Sequence, residues 1–325
     1  MSAHLCILHE TPGRVWTALG ERATVGPQHV VVRAELTGVS PGTELRMLST
    51  AEGSNVPYVP GYCVAGRVMS GGKAAGLEVG QRVLCPGGET GGGLARGYGG
   101  HQAVHVVPGD SVLVVPEGLS AEAVVLNKLA SIAHRGMVAG RAAAGQRVLV
   151  VGLGVVGQLA ARLWHEAGAR VTAADRIAFR REVAAAAGID VAADLAAAGT
   201  VYDAVVDCTG VPAVMAPAMR VLRQDPWTGG DDPGPTYVLQ GSYAGEVSFA
   251  YREAFQRQVT MVVPRDSTIS DQGATLALIA AGRLRLDDLL TRIADPADAA
   301  DTYAALSRPE TNDRTLGVAF RWPSG

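Results

Sequence analysis

Two patterns of apolar and polar positions divide the chain. From Ala121 to about Pro264, short apolar runs alternate with helical periods. Val148 to Val151, Arg170 to Ala174, Val201 to Val206, Tyr237 to Leu239 and Val259 to Val263 read as strands buried on both faces. Ala121 to Gly136 and Gln158 to Glu166 read as helices, and Val183 to Ala187 as part of an alanine-rich one. Strand–helix alternation of this kind predicts a parallel sheet with crossover helices. The stretch before Ala121 differs: His4 to Leu8, His29 to Ala34, Val64 to Met69, Arg82 to Cys85 and Gln102 to Val107 are strand-like. Turns at Pro12-Gly13 and Gly26-Pro27 and glycine-rich breaks separate them. Many short strands and few helical periods predict a largely β module of the partly open barrel type. After Asp271 come helices at Gly273 to Ala281 and Asp295 to Leu306, then a closing strand at Leu316 to Phe320. The expected organisation is a β module over 1–122, an inserted α/β domain over 123–265, and a return to the first module over 266–325.

The strand at Val148 runs directly into Gly152-Leu153-Gly154-Val155-Val156-Gly157, and a helix follows at once. In that setting GxGxxG reads as a dinucleotide turn. Gly152 allows the tight turn, Gly154 lets a pyrophosphate approach the backbone, and Gly157 lets helix and strand pack closely. The helix N-terminus offers N–H groups and a positive dipole end to the phosphates. Asp175 ends the next strand about 18 residues beyond Gly157, close to the ~20 of a ribose-binding acid. A carboxylate there accepts hydrogen bonds from ribose hydroxyls and repels a 2′-phosphate, so NAD(H) is favoured over NADP(H). Arg176, Arg180 and Arg181 follow and soften that preference. In a doubly wound sheet the loops at strand carboxyl ends line the cofactor crevice, which brings in Cys208, Thr209 and Gly210, and Gly241 with Ser242. Asp225 to Pro235 is a turn-rich surface insertion, longer than most such connections.

Composition narrows the picture. With 325 residues, 48% hydrophobic and 18% charged, the chain is long enough for two globular domains. A net charge of −3 and no Lys/Arg cluster give no surface for nucleic acid. The N-terminus lacks a basic start and an apolar run, and the longest apolar stretch is broken by glycines and Arg162, so neither a signal peptide nor a membrane span is expected. Cys6, Cys63, Cys85 and Cys208 lie far apart with no CxxC pair, which reads as reduced thiols in a cytoplasmic protein.

Four segments in this order resemble the medium-chain dehydrogenase/reductase superfamily over nearly the whole chain. Gly38-Val-Ser-Pro-Gly-Thr-Glu-Leu-Arg-Met47 resembles its G-[IV]-C-G-[ST]-D-x-H, and Val59-Pro-Gly-Tyr-Cys-Val-Ala-Gly-Arg-Val68 its P-G-H-E-x-x-G-x-V. Gly80-Gln-Arg-Val83, Gly99-Gly100 and Val114-Val-Pro-Glu-Gly-Leu-Ser120 resemble its G-D-R-V, G-G and P-x-x-[LM]-S run, and the glycine motif with Asp175 completes the set. The resemblance implies a Rossmann doubly wound parallel sheet inserted into a GroES-like partly open β-barrel, a homodimer paired through the edge strand Val259 to Val263, and a small-molecule substrate. Zinc-dependent members bind the metal through Cys, His and a third Cys, Glu or Asp. Here Ser40 or Pro41, Tyr62 and Asn127 fall at those places, and 86–97 holds no cysteine for a structural zinc. The expectation is an enzyme without zinc; a residual metal reading would recruit Cys63, Glu89 or His101. Ser40-Pro-Gly-Thr-Glu44 with Val59-Pro-Gly-Tyr62 is most similar to the bacteriochlorophyllide a dehydrogenase branch, with Cys63 departing from its Glu.

Without a metal, protein donors must polarise the oxygen of a secondary alcohol or ketone. The resemblance puts Thr43 at the family's proton-relay hydroxyl, Tyr62 in the cleft as a phenol donor, and Asn127 within reach of the same oxygen. Lys128 beside it would lower a phenol or alcohol pKa. Ser131 falls at the nicotinamide contact, and Val156 would pack on the ring. Thr43 also reads as a cap on the following helix, Glu44 as an ion-paired structural residue, Lys128 as a solvated charge, and His101 and His134 as structural. The expected activity is NAD(H)-dependent interconversion of a secondary alcohol and ketone on a cyclitol-, sugar- or polycycle-like metabolite. Its rivals are NAD(P)H-dependent enoyl or quinone reduction, which Asp175 disfavours, and a non-catalytic dinucleotide-binding protein.

Overall fold

The computed structural model describes residues 3–50, 55–71, 76–89, 94, 97–199, 201–224, 233–308 and 313–323. The chain forms two compact units, one of residues 1–128 with 276–325 and one of 129–275.

The first unit opens with β1 (Ala3–Glu10) and β2 (Arg14–Glu21), an antiparallel pair. Then come β3 (His29–Gly38), α1 (Pro41–Ser49), β4 (Cys63–Gly71), β5 (Arg82–Cys85), β6 (Val104–Pro108) and β7 (Leu113–Val114). The expected helix over Ala121 to Gly136 is in fact two, α2 (Ala121–Val124) and α3 (Asn127–Ala139). Ser120 Oγ accepts the Ala123 N–H at 3.2 Å, capping the first piece.

Within the second unit, β8 (Arg147–Val151), α4 (Val155–Glu166), β9 (Arg170–Ala174), α5 (Ala178–Ala186) and β10 (Asp190–Ala192) come first. Then follow α6 (Leu195–Ala198), β11 (Ala204–Asp207), α7 (Met215–Arg220), β12 (Thr236–Leu239), α8 (Tyr251–Arg257) and β13 (Thr260–Val262). The strands pair in parallel in the order β10-β9-β8-β11-β12-β13. Counted within the unit this is 3-2-1-4-5-6, the doubly wound order, which reverses direction between β8 and β11. Leu149, Val205 and Tyr237 are fully buried at its centre.

The chain then passes through α9 (Ile269–Ala280) and returns to the first unit as β14 (Leu290–Ala294), α10 (Ala299–Leu306) and β15 (Gly317–Arg321). β15 pairs antiparallel with β3, so the tail completes a seven-stranded sheet running β14-β15-β3-β4-β5-β7, with β6 also on β3. Register shifts at Val31/Val32 and Ala34/Leu36 bend β3 against β4. Ile7, Val30, Val32, Val83, Val107, Val318 and Phe320 pack into one core, each such side chain stabilising by roughly 1.5–3 kcal/mol. No helix among the described residues is long and apolar enough to cross a membrane.

Candidate active site

In the second unit, each glycine of the turn has a distinct environment. Gly152 adopts φ +85, and a Cβ there would lie 2.8 Å from the Thr209 side chain. A Cβ on Gly157 would lie 1.8 Å from the Gly152 carbonyl oxygen, so only glycine lets α4 sit this close to the turn. A Cβ on Gly154 would meet nothing within 4 Å. Gly154 is the N-cap of α4 and supplies no side-chain cap, leaving open space over the first helical turn. Leu153 and Val155 are buried, while Val156 is half-buried. The arrangement fits a pyrophosphate on an uncapped helix N-terminus.

Asp175 stands beside this turn. Its carboxylate accepts the Leu153 N–H at 2.6 Å and the Ile177 N–H at 2.8 Å. Arg180 lies 3.7 Å from the same group and Arg181 donates to the Asp175 carbonyl, while Arg176 is exposed. The carboxylate is thus anchored on the glycine turn. A second hub holds the two loops beyond β11 and β12. Asp207, fully buried, accepts from Thr209 N–H (2.9 Å), Thr209 O–H (2.6 Å) and Tyr237 O–H (2.8 Å). Its carbonyl accepts from Gln240 and Gly241. A Cβ on Gly241 would lie 2.5 Å from Gly210 N, so these loops touch backbone to backbone. Cys208, at the start of the first of these loops, is half-buried, and Ser242 is exposed.

In the first unit a cluster of three hydroxyls forms where β3 leads into α1. The Tyr62 hydroxyl donates to Ser40 Oγ at 2.5 Å and lies 3.4 Å from Thr43 Oγ1. Ser40 is the N-cap of α1, and Thr43 sits in its first turn rather than ahead of it, making no side-chain cap. Gly38 gathers the surrounding backbone: a Cβ there would be 3.1 Å from Leu126 and 3.2 Å from Cys63. The residues adjoining Asn127 and Tyr62 therefore close on one glycine. Asn127 is fully buried and Lys128 half-buried at the start of α3. Tyr98 meets Tyr62 edge-on at 5.3 Å.

The expectation that a cation lowers the Tyr62 pKa is corrected here. Burial pushes the phenol well above its ordinary value, the nearby Cys63 and Glu44 add to this, and hydrogen bonds from Ser40 and Thr43 only partly oppose it. Tyr62 is a phenol, not a phenolate, across the neutral range.

Beneath the cluster lies a buried carboxylate. Glu44 accepts the Ser40 N–H at 2.6 Å, the Tyr303 hydroxyl, and His101 Nε2 at 3.0 Å. Burial alone would raise its pKa, but His101, Ser40 and Tyr303 outweigh this and hold it below the usual carboxylate range. His101 Nδ1 lies 2.7 Å from Thr37 Oγ1, which accepts the Trp322 indole N–H at 3.0 Å. His134, by contrast, pairs with Asp271 at 3.0 Å, and Ser131 bonds Ser267 at 2.8 Å, each joining α3 to the segment that starts α9.

Residues 26–117 match the model of the alcohol dehydrogenase GroES-like domain. The 2-desacetyl-2-hydroxyethyl bacteriochlorophyllide A dehydrogenase of Cereibacter sphaeroides is 31% identical over 304 residues, 87% of this chain and 88% of its own. The chain belongs to the medium-chain dehydrogenase/reductase family. The Rhodobacter capsulatus enzyme of the same name is 30% identical over 91% of this chain and 92% of its own. Among solved structures, an Escherichia coli alcohol dehydrogenase complexed with NADH superposes with a TM-score of 0.84 at 19% identity, covering 99% of this chain and 100% of that one. This medium-chain family member is an oxidoreductase of the alcohol dehydrogenase type.

The family's zinc ion does not fit the donors that this medium-chain dehydrogenase carries. Ser40 and Tyr62 spend their oxygens on each other, and neither a protonated phenol, a serine nor an amide replaces thiolate, imidazole or carboxylate. Of the residual candidates, His101 is bonded at both nitrogens, Cys63 is buried in β4 and Glu89 is exposed. No group of three His, Cys, Asp or Glu among the described residues is placed to hold a metal ion. Sequence reasoning missed the partners of Glu44. Tyr303, which bonds Glu44, and Trp322, which bonds Thr37 on the other side of His101, come from the far end of the chain, and no local signal marks them.

Proposed function

We propose that this protein is a zinc-independent, NAD(H)-dependent dehydrogenase that interconverts a secondary alcohol and a ketone. The observation that carries the reading is the 2.5 Å Tyr62–Ser40 hydrogen bond, with Thr43 alongside, at the family's metal-ligand positions. The nicotinamide supplies or accepts hydride at the carbinol carbon. In turnover the Tyr62 proton, which Ser40 Oγ accepts in this structure, passes to the carbonyl oxygen as the alkoxide forms, and the Ser40 and Thr43 hydroxyls turn to donate to the phenolate left behind. Burial keeps the phenol protonated at neutral pH, so Tyr62 enters the reduction direction as an acid. Asn127 and Lys128 belong to the same reading as further contacts to substrate oxygen. A homodimer is part of it too, since β13 is the terminal strand of the parallel sheet.

Asp175 supports NAD(H) over NADP(H). Removing a charged acceptor costs about 1.5–3 kcal/mol, so Asp175→Asn is expected to raise KM for NADH roughly 10- to 100-fold with kcat little changed. Steady-state titration of both dinucleotides checks this; an unchanged NADH:NADPH ratio would count against the assignment. Turnover on a panel of ketones and enones tests the reaction itself. NADH-dependent ketone reduction is expected, and NADPH-dependent C=C reduction without ketone turnover would replace this reading.

A further inference from the structure

We propose that Glu44 and His101 are positioning residues whose buried pair holds the Ser40 and Tyr62 hydroxyls in register for proton transfer. The proposal rests on the hydroxyl-cluster reading above.

Each member of the pair grips one end of the 2.5 Å Tyr62–Ser40 bond. Glu44 takes the Ser40 end: its carboxylate accepts the Ser40 N–H at 2.6 Å, fixing the peptide from which the Ser40 side chain projects. His101 takes the Tyr62 end. A Cβ on Gly61, at φ +81, would lie 2.5 Å from His101 Nε2, so the imidazole rests against the residue that precedes Tyr62. A Cβ on Gly100 would lie 2.6 Å from Tyr62 N, and the Gly100 and His101 N–H groups both donate to the Pro60 carbonyl. His101 Nε2 and Glu44 then meet at 3.0 Å and close the loop. Ser40, Glu44, His101, Gly61 and Tyr62 thus form one ring of contacts around a single proton-carrying bond.

The far end of the ring is locked as well. An indole N–H only donates, so Thr37 Oγ1 accepts from Trp322 at 3.0 Å and lies 2.7 Å from His101 Nδ1, while Nε2 faces Glu44. Glu44 and His101 are at most 1% exposed, so neither reaches a substrate directly, and both act through Ser40 and Tyr62. A pair that served only stability would not need its two ends on the two partners of one hydroxyl contact.

The test uses the full-length enzyme with NADH and an accepted ketone. Glu44→Gln and His101→Gln are expected to lower kcat by about 10- to 100-fold, the loss that misplacement by roughly 1 Å brings, with KM changed less than about threefold. Combined with Ser40→Ala, either substitution should add almost nothing further, because residues acting through one contact are not additive. Val83→Ala, a core truncation in β5 outside the ring, serves as the stability control: it lowers Tm, and its effect on kcat is small and multiplies independently. If Glu44→Gln does not yield folded protein, His101→Gln carries the test, with Thr37→Val probing the lock from its outer end. Wild-type kcat in folded Glu44→Gln and His101→Gln, or full additivity with Ser40→Ala, overturns the proposal. Wild-type kcat in Tyr62→Phe and Ser40→Ala would instead bring down the hydroxyl-cluster reading itself, a separate failure.

Discussion

Tyr62→Phe is expected to lower kcat for ketone reduction by about 10²- to 10³-fold, the contribution of one well-placed proton donor, while KM for ketone and NADH stays within a few-fold. The substitution removes one oxygen and keeps the ring and its edge contact with Tyr98. It also releases Ser40 Oγ from the 2.5 Å bond, and that serine becomes the nearest remaining donor. Residual activity in Tyr62→Phe should therefore fall again in the Tyr62→Phe/Ser40→Ala double variant. Stopped-flow single turnovers separate the chemical step from product release. A single variant with an unchanged hydride-transfer rate would remove Tyr62 from the mechanism.

A second large effect concerns acid. Burial pushes the His9 pKa down to about 4 and that of His105 down to about 3, with the Glu44 carboxylate only partly opposing the shift at His9. In the unfolded chain both imidazoles titrate near ~6.5. Below that pH the unfolded chain binds two protons that the folded chain refuses. Stability is therefore fully present above pH ~6.5 and falls with pH, at about 1.4 kcal/mol per pH unit for each histidine, until the folded pKa is reached. The loss between pH ~6.5 and ~4.5 is of the order of 5 kcal/mol, a large fraction of the stability of an ordinary domain. Urea midpoints measured across that range should drop steeply, and His105→Phe should halve the slope. A flat profile down to pH 4.5 would show that these rings are not held neutral. Glu44 adds its own loss at lower pH, because its depressed pKa means that the folded chain gives up a favourable charge only in stronger acid.

The nucleotide unit was legible because its signals are local. Strand, glycine turn, helix and acid occupy one continuous stretch, and each glycine's role follows from contacts within a few residues of itself or with the neighbouring loop. β5 falls on the expected Arg82–Cys85, whereas β10 escaped notice. It is three residues long, half-exposed, and sits at the edge of the sheet beside β9, so it leaves no apolar run to read. β2 escaped for a related reason: it carries Arg14, Leu19 and Glu21 with no clean alternation and only partial burial. The site was half legible. That Ser40, Tyr62 and Asn127 stand where the family has metal ligands could be read by resemblance. That Tyr62 bonds Ser40, and that Thr43 lies inside α1, depended on the path of the chain between Gly38 and Glu44. The Glu44 network was out of reach: its members are separated by up to 285 positions, and a lone Glu or His in sequence carries no mark of its partner. The phenol's pKa moves upward chiefly because folding buries it, with the adjacent Cys63 and the buried Glu44 carboxylate adding to the shift.

In the proposed mechanism hydroxyl, phenol and amide groups do here what a zinc ion does in other members of the family. Elemental analysis of the purified, active enzyme, paired with its turnover rate before and after exhaustive chelation, separates the two. Substoichiometric zinc and an unchanged rate are expected. One zinc per chain, with activity lost on its removal and restored by its return, would contradict that mechanism.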